Sequence, residues 1–139
     1  MAIPIHGELD LNAAIALEKF IRDVPDFPRP GIVFKDITPL LASPAAMALA
    51  VEGLIEPFLD AGIERVCGVE SRGFLFGAVA AVRLGAGFIP IRKPGKLPWK
   101  TASAEYELEY GCDRVEIHTD AIAPGHPATG PAAPERGNP

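Results

Sequence analysis

Six positive charges and no negative one fall within residues 71–104: Arg72, Arg83, Arg92, Lys93, Lys96 and Lys100. Polyanion binding is the chemistry that such a window serves. A guanidinium offers a bidentate fork, and two or more cations on a common edge suit a diphosphate better than a single carboxylate. The triplet Ser71-Arg72-Gly73 adds a second device if it opens a helix. Backbone N–H groups and the helix dipole then face the ligand, and Gly73 permits close approach. The plain alternative is a set of solvated strand-end cations, and position in space separates the two.

The other chemically capable residues give weaker signals. Glu109 follows Glu105 and Glu107 in strict alternation, which by pattern alone reads as a solvated face, and Tyr110 beside it reads as core. His6, His118 and His126 show no metal-ligand spacing, so no metal site is expected. Cys67 and Cys112 are too far apart for a local metal knuckle and read as reduced cytosolic thiols.

The elements that position these residues follow from hydrophobic period and punctuation. Leu17, Phe20, Ile21 and Val24 recur at helical spacing, predicting a helix over residues 11–23 that Pro25 ends. Residues 26–31 hold too much proline for regular structure, and Ile32-Val33-Phe34 reads as extended. Ser43-Pro44 is a helix start, followed by the stripe Met47, Val51, Leu54, Ile55, Phe58 and Leu59, with Gly62 as the stop. Residues 65–69 read as a strand, 74–84 as an alanine-rich helix apolar all round and ended by Gly85 and Gly87, and 88–91 as a second strand. In such a parallel β-α-β unit both carboxyl ends emerge on one edge of the sheet, which brings Arg72, Arg92 and Lys93 near one another. Residues 94–103 lack any period and read as a mobile loop. Alternation over 105–110 and 115–118 then predicts two strands joined through Gly111-Cys112-Asp113.

Length and charge bound the function class. The 139 residues, 48% hydrophobic, fit one compact α/β domain. The net charge of −5 conceals a polarity, because the rest of the chain carries −11 against the +6 of residues 71–104. The cations lack the interleaved aromatics of a stacking platform, which argues against nucleic-acid binding. The longest uncharged run, residues 37–51, is shorter than a membrane span, and residues 1–6 lack the pattern of a secretory signal, so a cytoplasmic protein without membrane contact is expected.

Four runs together resemble the adenine phosphoribosyltransferases, in order and with family-like spacing: PDFPRPGIVFKDITPLL (25–41), GVESRGFLFG (68–77), IRKPGKLP (91–98) and LEYGCDRVEIHTDAI (108–122). The match covers residues 10–125. The resemblance implies a type I phosphoribosyltransferase fold, a parallel sheet flanked by helices with an N-terminal hood, in a cytosolic homodimer. It implies transfer of 5-phosphoribosyl from 5-phosphoribosyl pyrophosphate (PRPP), with Mg²⁺, to adenine, yielding AMP and pyrophosphate in purine salvage. Carried over by position, Val33 and Lys35 belong to the hood segment that closes over the base, with Arg72 also at the adenine side. Ser71 and Arg72 form the pyrophosphate loop, with a cis peptide between Glu70 and Ser71. Arg92, Lys93 and Lys96 contact pyrophosphate, Glu109 is the acid or base at the adenine ring nitrogens, and Tyr110 stands beside it in the loop. The domain so defined covers residues 1–126, with a hood to about residue 40, a core from about 43 and a mobile loop over 93–104.

After His126 the chain departs from the family pattern, which continues into a buried strand ending in two aspartates and a loop V-D-D-x-x-A-T-G-G-T. Residues 127–139 instead hold nine Pro, Ala or Gly and cannot build a core, so a disordered tail is expected. A frameshift with premature termination is the corresponding expectation, with a fold incomplete at the C-terminus. Two alternatives stand beside the transferase: an inactive remnant retaining adenine or pyrophosphate binding, and a phosphoribosyltransferase for another nucleobase.

Overall fold

The computed structural model describes residues 16–109 and 111–123, in two compact units, Met1–Glu56 and Pro57–Pro139.

In the first unit, residues 16–18 are helical, and Phe20 and Ile21 close the turn with hydrogen bonds back to Leu17 and Glu18. The expected helix over 11–23 is thereby corrected: Arg22–Pro25 is a strand, β1, paired antiparallel with β2, Val33–Asp36. Ladder bonds to β2 override the local helical period, as tertiary context commonly does. The expected positions 11–15 lie outside the described residues. The intervening Pro-rich segment makes a tight return with a cis Phe27-Pro28 bond. Its Gly31, at φ 87°, donates its N–H to Asp26 Oδ1 at 2.9 Å, and Phe27 packs edge-to-face on Phe34.

Two helices follow, α1 (Thr38–Ala42) and α2 (Pro44–Ile55). Ser43 caps α2 as expected, its Oγ accepting the Ala46 N–H at 3.3 Å, with Pro44 in the first turn. Leu40, Ala46, Val51 and Ile55 form this unit's buried core. The stripe read from sequence is only half used, since Leu54, Phe58 and Leu59 are exposed. The stop also differs. Pro57 lacks the N–H that would continue the ladder, so α2 ends at Ile55 and tightens into a 3₁₀ turn, Glu56–Phe58, ahead of Gly62.

The second unit opens with β3 (Arg65–Val69), α3 (Arg72–Leu84) and β4 (Gly87–Ile91), a β-α-β unit whose strands pair in parallel from Arg65↔Gly87 to Val69↔Ile91. Gly85, at φ 68°, caps α3 in the left-handed conformation where a Cβ is unfavourable. The helix buries a face of small residues, Gly77, Ala80 and Ala81, so its backbone lies close on the strands. A Cβ at Gly68 would meet Gly73 O at 2.6 Å, which shows how tight this approach is. Leu75, Val79 and Val82 are exposed, so the helix is two-faced in structure although apolar all round in sequence.

A hairpin completes the described residues: β5 (Thr101–Leu108) and β6 (Gly111–His118), antiparallel from Thr101↔His118 to Leu108↔Gly111. Two expectations are corrected. The loop over 93–104 ends at residue 100, because Thr101 to Ala104 pair with the far end of β6, and Gly111, Cys112 and Asp113 belong to β6 rather than to the turn. Neither is visible locally, since the partner strand supplies the order. The hairpin joins the parallel strands through one antiparallel bridge, Arg92↔Glu116, with N–H···O distances of 3.0 and 2.7 Å. Residues 124–139, including the expected tail and His126, lie outside the described residues, as do His6 and Tyr110.

Candidate functional site

The β-α-β unit delivers Glu70, Arg72 and Arg92 to one edge. The backbone of Glu70 extends the parallel ladder, its N–H donating to Ile91 O at 2.9 Å, so the tips of β3 and β4 stay side by side. The Glu70-Ser71 peptide is cis, as the resemblance implied. Ser71 then precedes the first turn of α3, and Arg72 is the first residue of the helix, two positions earlier than the sequence suggested.

Across from them, three donors from the end of β4 and the segment beyond it meet the Glu70 carboxylate. Its Oε1 accepts the Lys93 backbone N–H at 2.5 Å, while Oε2 takes Arg92 Nη2 at 3.3 Å and Lys96 Nζ at 3.0 Å. The Glu70 side chain is 11% exposed, against 51% for Lys96. The Lys93 N–H and the two cations hold its carboxyl at about 2, well below its ordinary 4.5, against the opposing pull of burial. Arg92 is further fixed by the Phe74 ring, 5.9 Å from its guanidinium carbon, and by a long contact from Nη1 to Lys96 O. Its Nε is buried without a hydrogen-bond partner among the described residues.

Lys93 divides its roles. Its N–H serves Glu70, but its ammonium turns to the hairpin, bonded to Asp113 of β6 and, at 3.0 Å, to the Tyr106 hydroxyl of β5. Tyr106 in turn donates to Asp113 at 2.9 Å. Of the sequence-named residues, then, Ser71, Arg72, Arg92 and Lys96 gather at the strand ends, while the Lys93 side chain anchors the hairpin.

Glu109 is exposed just past β5. Five residues separate Gly111 from the Glu116 bridge, so strand rise puts the Glu109 end of the hairpin ~17 Å from the β4 tip. The structure does not bring it to the cations. Val33 and Lys35 lie in the first unit on β2: Val33 is exposed opposite Pro25, and the Lys35 ammonium pairs with Asp23 at 2.5 Å. His118, unassigned by sequence, has a structural role, its Nε2 accepting the Trp99 N–H at 3.2 Å.

Sequence reasoning missed Glu70 as a functional residue, reading it only as the end of a strand. The signal was present: Glu70 is the last acid before a stretch of 34 residues without one, placed where a parallel strand hands over to the start of a helix. It also missed Asp113 and Tyr106, whose partnership with Lys93 depends on hairpin register.

No family model matches the chain. Individual relatives do. The adenine phosphoribosyltransferase of Thermobifida fusca is 51% identical over 117 residues, 84% of this chain and 66% of the relative. That of Methylococcus capsulatus is 57% identical over 105 residues, 76% of this chain and 61% of the relative. Among solved structures, the adenine phosphoribosyltransferase of Rhodothermus marinus superposes with a TM-score of 0.78 at 53% identity, covering 84% of this chain and 66% of that one. The Saccharomyces cerevisiae enzyme, complexed with an imino-altritol bisphosphate and adenine, gives 0.73 at 40% identity, covering 81% and 66%. The chain thus spans slightly less than two thirds of the length of these relatives, and over the matched part it has their type I phosphoribosyltransferase fold.

Proposed function

We propose that this chain, which belongs to the adenine phosphoribosyltransferase family, carries the pyrophosphate-handling part of a site that transfers 5-phosphoribosyl from PRPP to adenine, giving AMP and pyrophosphate. The observation that supports this best is the convergence of Arg92, Lys96 and the Lys93 N–H on one carboxylate beside the Ser71-Arg72 helix start. The two cations of that set, with Arg72, fit a diphosphate by charge and by their place on one edge.

The chemistry follows from where charge develops. Ribosyl transfer passes through a cation-like sugar while negative charge accumulates on the departing pyrophosphate. A fixed donor such as Arg92, joined by Arg72 and by Lys96 once it meets the diphosphate, then stabilises the transition state more than the ground state. Closure of residues 93–100 over the sugar excludes water, which competes with adenine for it. In the same reading Glu109 manages the proton at the adenine ring nitrogens, with Tyr110 next to it in sequence, and Val33 and Lys35 contribute to recognition of the base.

Mg²⁺ in this reading arrives chelated by the pyrophosphate of the sugar substrate, as that ion commonly does. The donors at the strand ends are cationic and suit phosphate oxygens rather than the metal, and among the described residues no group of three or more His, Cys, Asp or Glu side chains is placed to hold an ion. A homodimer in the cytoplasm is part of the same proposal. Among the described residues no helix is long and apolar enough to cross a membrane.

The test is PRPP-dependent conversion of labelled adenine to AMP by the 139-residue chain, with inorganic pyrophosphate binding measured alongside. Arg92→Ala is expected to reduce both, turnover by roughly a hundredfold. Pyrophosphate affinity unchanged by Arg92→Ala would remove the site assignment, and preference for hypoxanthine or guanine would move the activity to another base.

A further inference from the structure

The Glu70 carboxylate is a negative charge inside a cluster otherwise built for anions. Its two oxygens are used differently. Oε1 is committed to the Lys93 backbone N–H, a bond that ties the tip of β3 to the chain leaving β4. Oε2 takes both cations, Arg92 and Lys96. An incoming diphosphate needs the same two side chains, so it competes with an anion the protein already carries.

The two cations are not equally free to change partners. Arg92 is 34% exposed, lies over the Phe74 ring and belongs to a residue whose backbone is bridged to Glu116. Lys96 is half exposed, on a flexible four-carbon stem in the irregular segment between Lys93 and Lys100, and its ammonium holds Glu70 at 3.0 Å. We propose that Glu70 is an internal competitor of pyrophosphate, holding Lys96 until the diphosphate takes it over, so that the affinity of the site is set by this exchange and the position of residues 93–100 follows it. This rests on the strand-end pyrophosphate site proposed above, and it adds a residue that weakens product binding. A weaker hold on pyrophosphate favours its release, a step that limits many transferases.

The test is calorimetric titration of inorganic pyrophosphate into the full 139-residue chain, Glu70→Gln, Lys96→Ala and the double variant. Glutamine keeps an oxygen for the Lys93 N–H, so the strand tips stay joined while the competing charge is gone. Glu70→Gln is expected to bind pyrophosphate roughly three- to tenfold more tightly, with Lys96→Ala costing more in that background than in the native chain. Equal or weaker binding by Glu70→Gln overturns the inference and leaves the site assignment standing. Absence of pyrophosphate binding by every variant removes the site and the inference together. Should Glu70→Gln not fold, Lys96→Ala alone decides: a loss below about fivefold supports exchange with Glu70, and a larger loss overturns it.

Discussion

Glu70 shows how one side chain can tie two strand tips together and set a pH response. Its carboxyl titrates at about 2 in the folded chain against an ordinary 4.5. The folded value is the lower one, so its stabilising contribution is complete above about pH 4.5 and is lost as pH falls toward 2. Urea midpoints of the native chain and Glu70→Gln should therefore converge through that window and stay parallel above it, and a gap independent of pH would contradict this account. Gly68 is a second residue with a specific physical duty. An added Cβ would stand 2.6 Å from a backbone oxygen and 2.7 Å from the Phe88 ring, whereas at Gly77 the close atom is the same ring and the nearest backbone atom is 3.6 Å away. Backbone cannot swing aside, so Gly68→Ala is expected to cost about 1–3 kcal/mol, and more than Gly77→Ala, where helix propensity returns about 1 kcal/mol. Chemical denaturation of the two variants measures the difference.

At the scale of elements, two attachments decide how well the parts are held. The Ser43 cap satisfies one orphan N–H of α2. Ser43→Ala should cost about 1 kcal/mol, read as a lower urea midpoint with an unchanged slope. The β5–β6 hairpin presents a different case. Its alternating sequence makes a strand, yet every β5 residue after Thr101 is exposed, so period 2 here signals pairing without a core. What ties it down is the Arg92↔Glu116 bridge and the Lys93, Asp113 and Tyr106 contacts. Asp113→Ala should let the hairpin open more often and raise its amide exchange by roughly tenfold while α3 is unaffected. Uniform acceleration across α3 and the hairpin would mean that the anchor serves the whole unit instead.

For the whole molecule, the charge asymmetry is the property that reaches beyond contacts. Residues 71–104 carry +6 in a chain of net −5, and Arg72, Arg92 and Lys96 of that window stand at the strand-end edge, which favours an approaching anion there. Pyrophosphate affinity should accordingly fall several-fold between about 0.05 and 0.2 M salt, and a flat salt response would detach binding from this cluster. The exposed row Leu75, Val79 and Val82 on α3, with Val82 at 80% exposure, is the opposite kind of surface, an apolar face of the sort that proteins cover.

Much of this was readable from one chain of letters because it is local. The β-α-β unit announces itself by an apolar run, an alanine-rich helix and Gly85, and parallel connection by itself obliges Arg72 and Arg92 to share an edge. Ser43 and Pro44 likewise fix a helix start without help from elsewhere. What the letters left open were partnerships between segments far apart in sequence. Arg22–Pro25 reads as helix until β2 offers its ladder, residues 101–104 read as loop until β6 does, and nothing along the chain pairs the Lys93 ammonium with Asp113. Glu70 is the sharpest instance. Local pattern marks it as the end of a strand, and only the meeting of two strand tips turns it into the anion that Arg92 and Lys96 hold, since charge interaction depends on distance in space rather than along the chain.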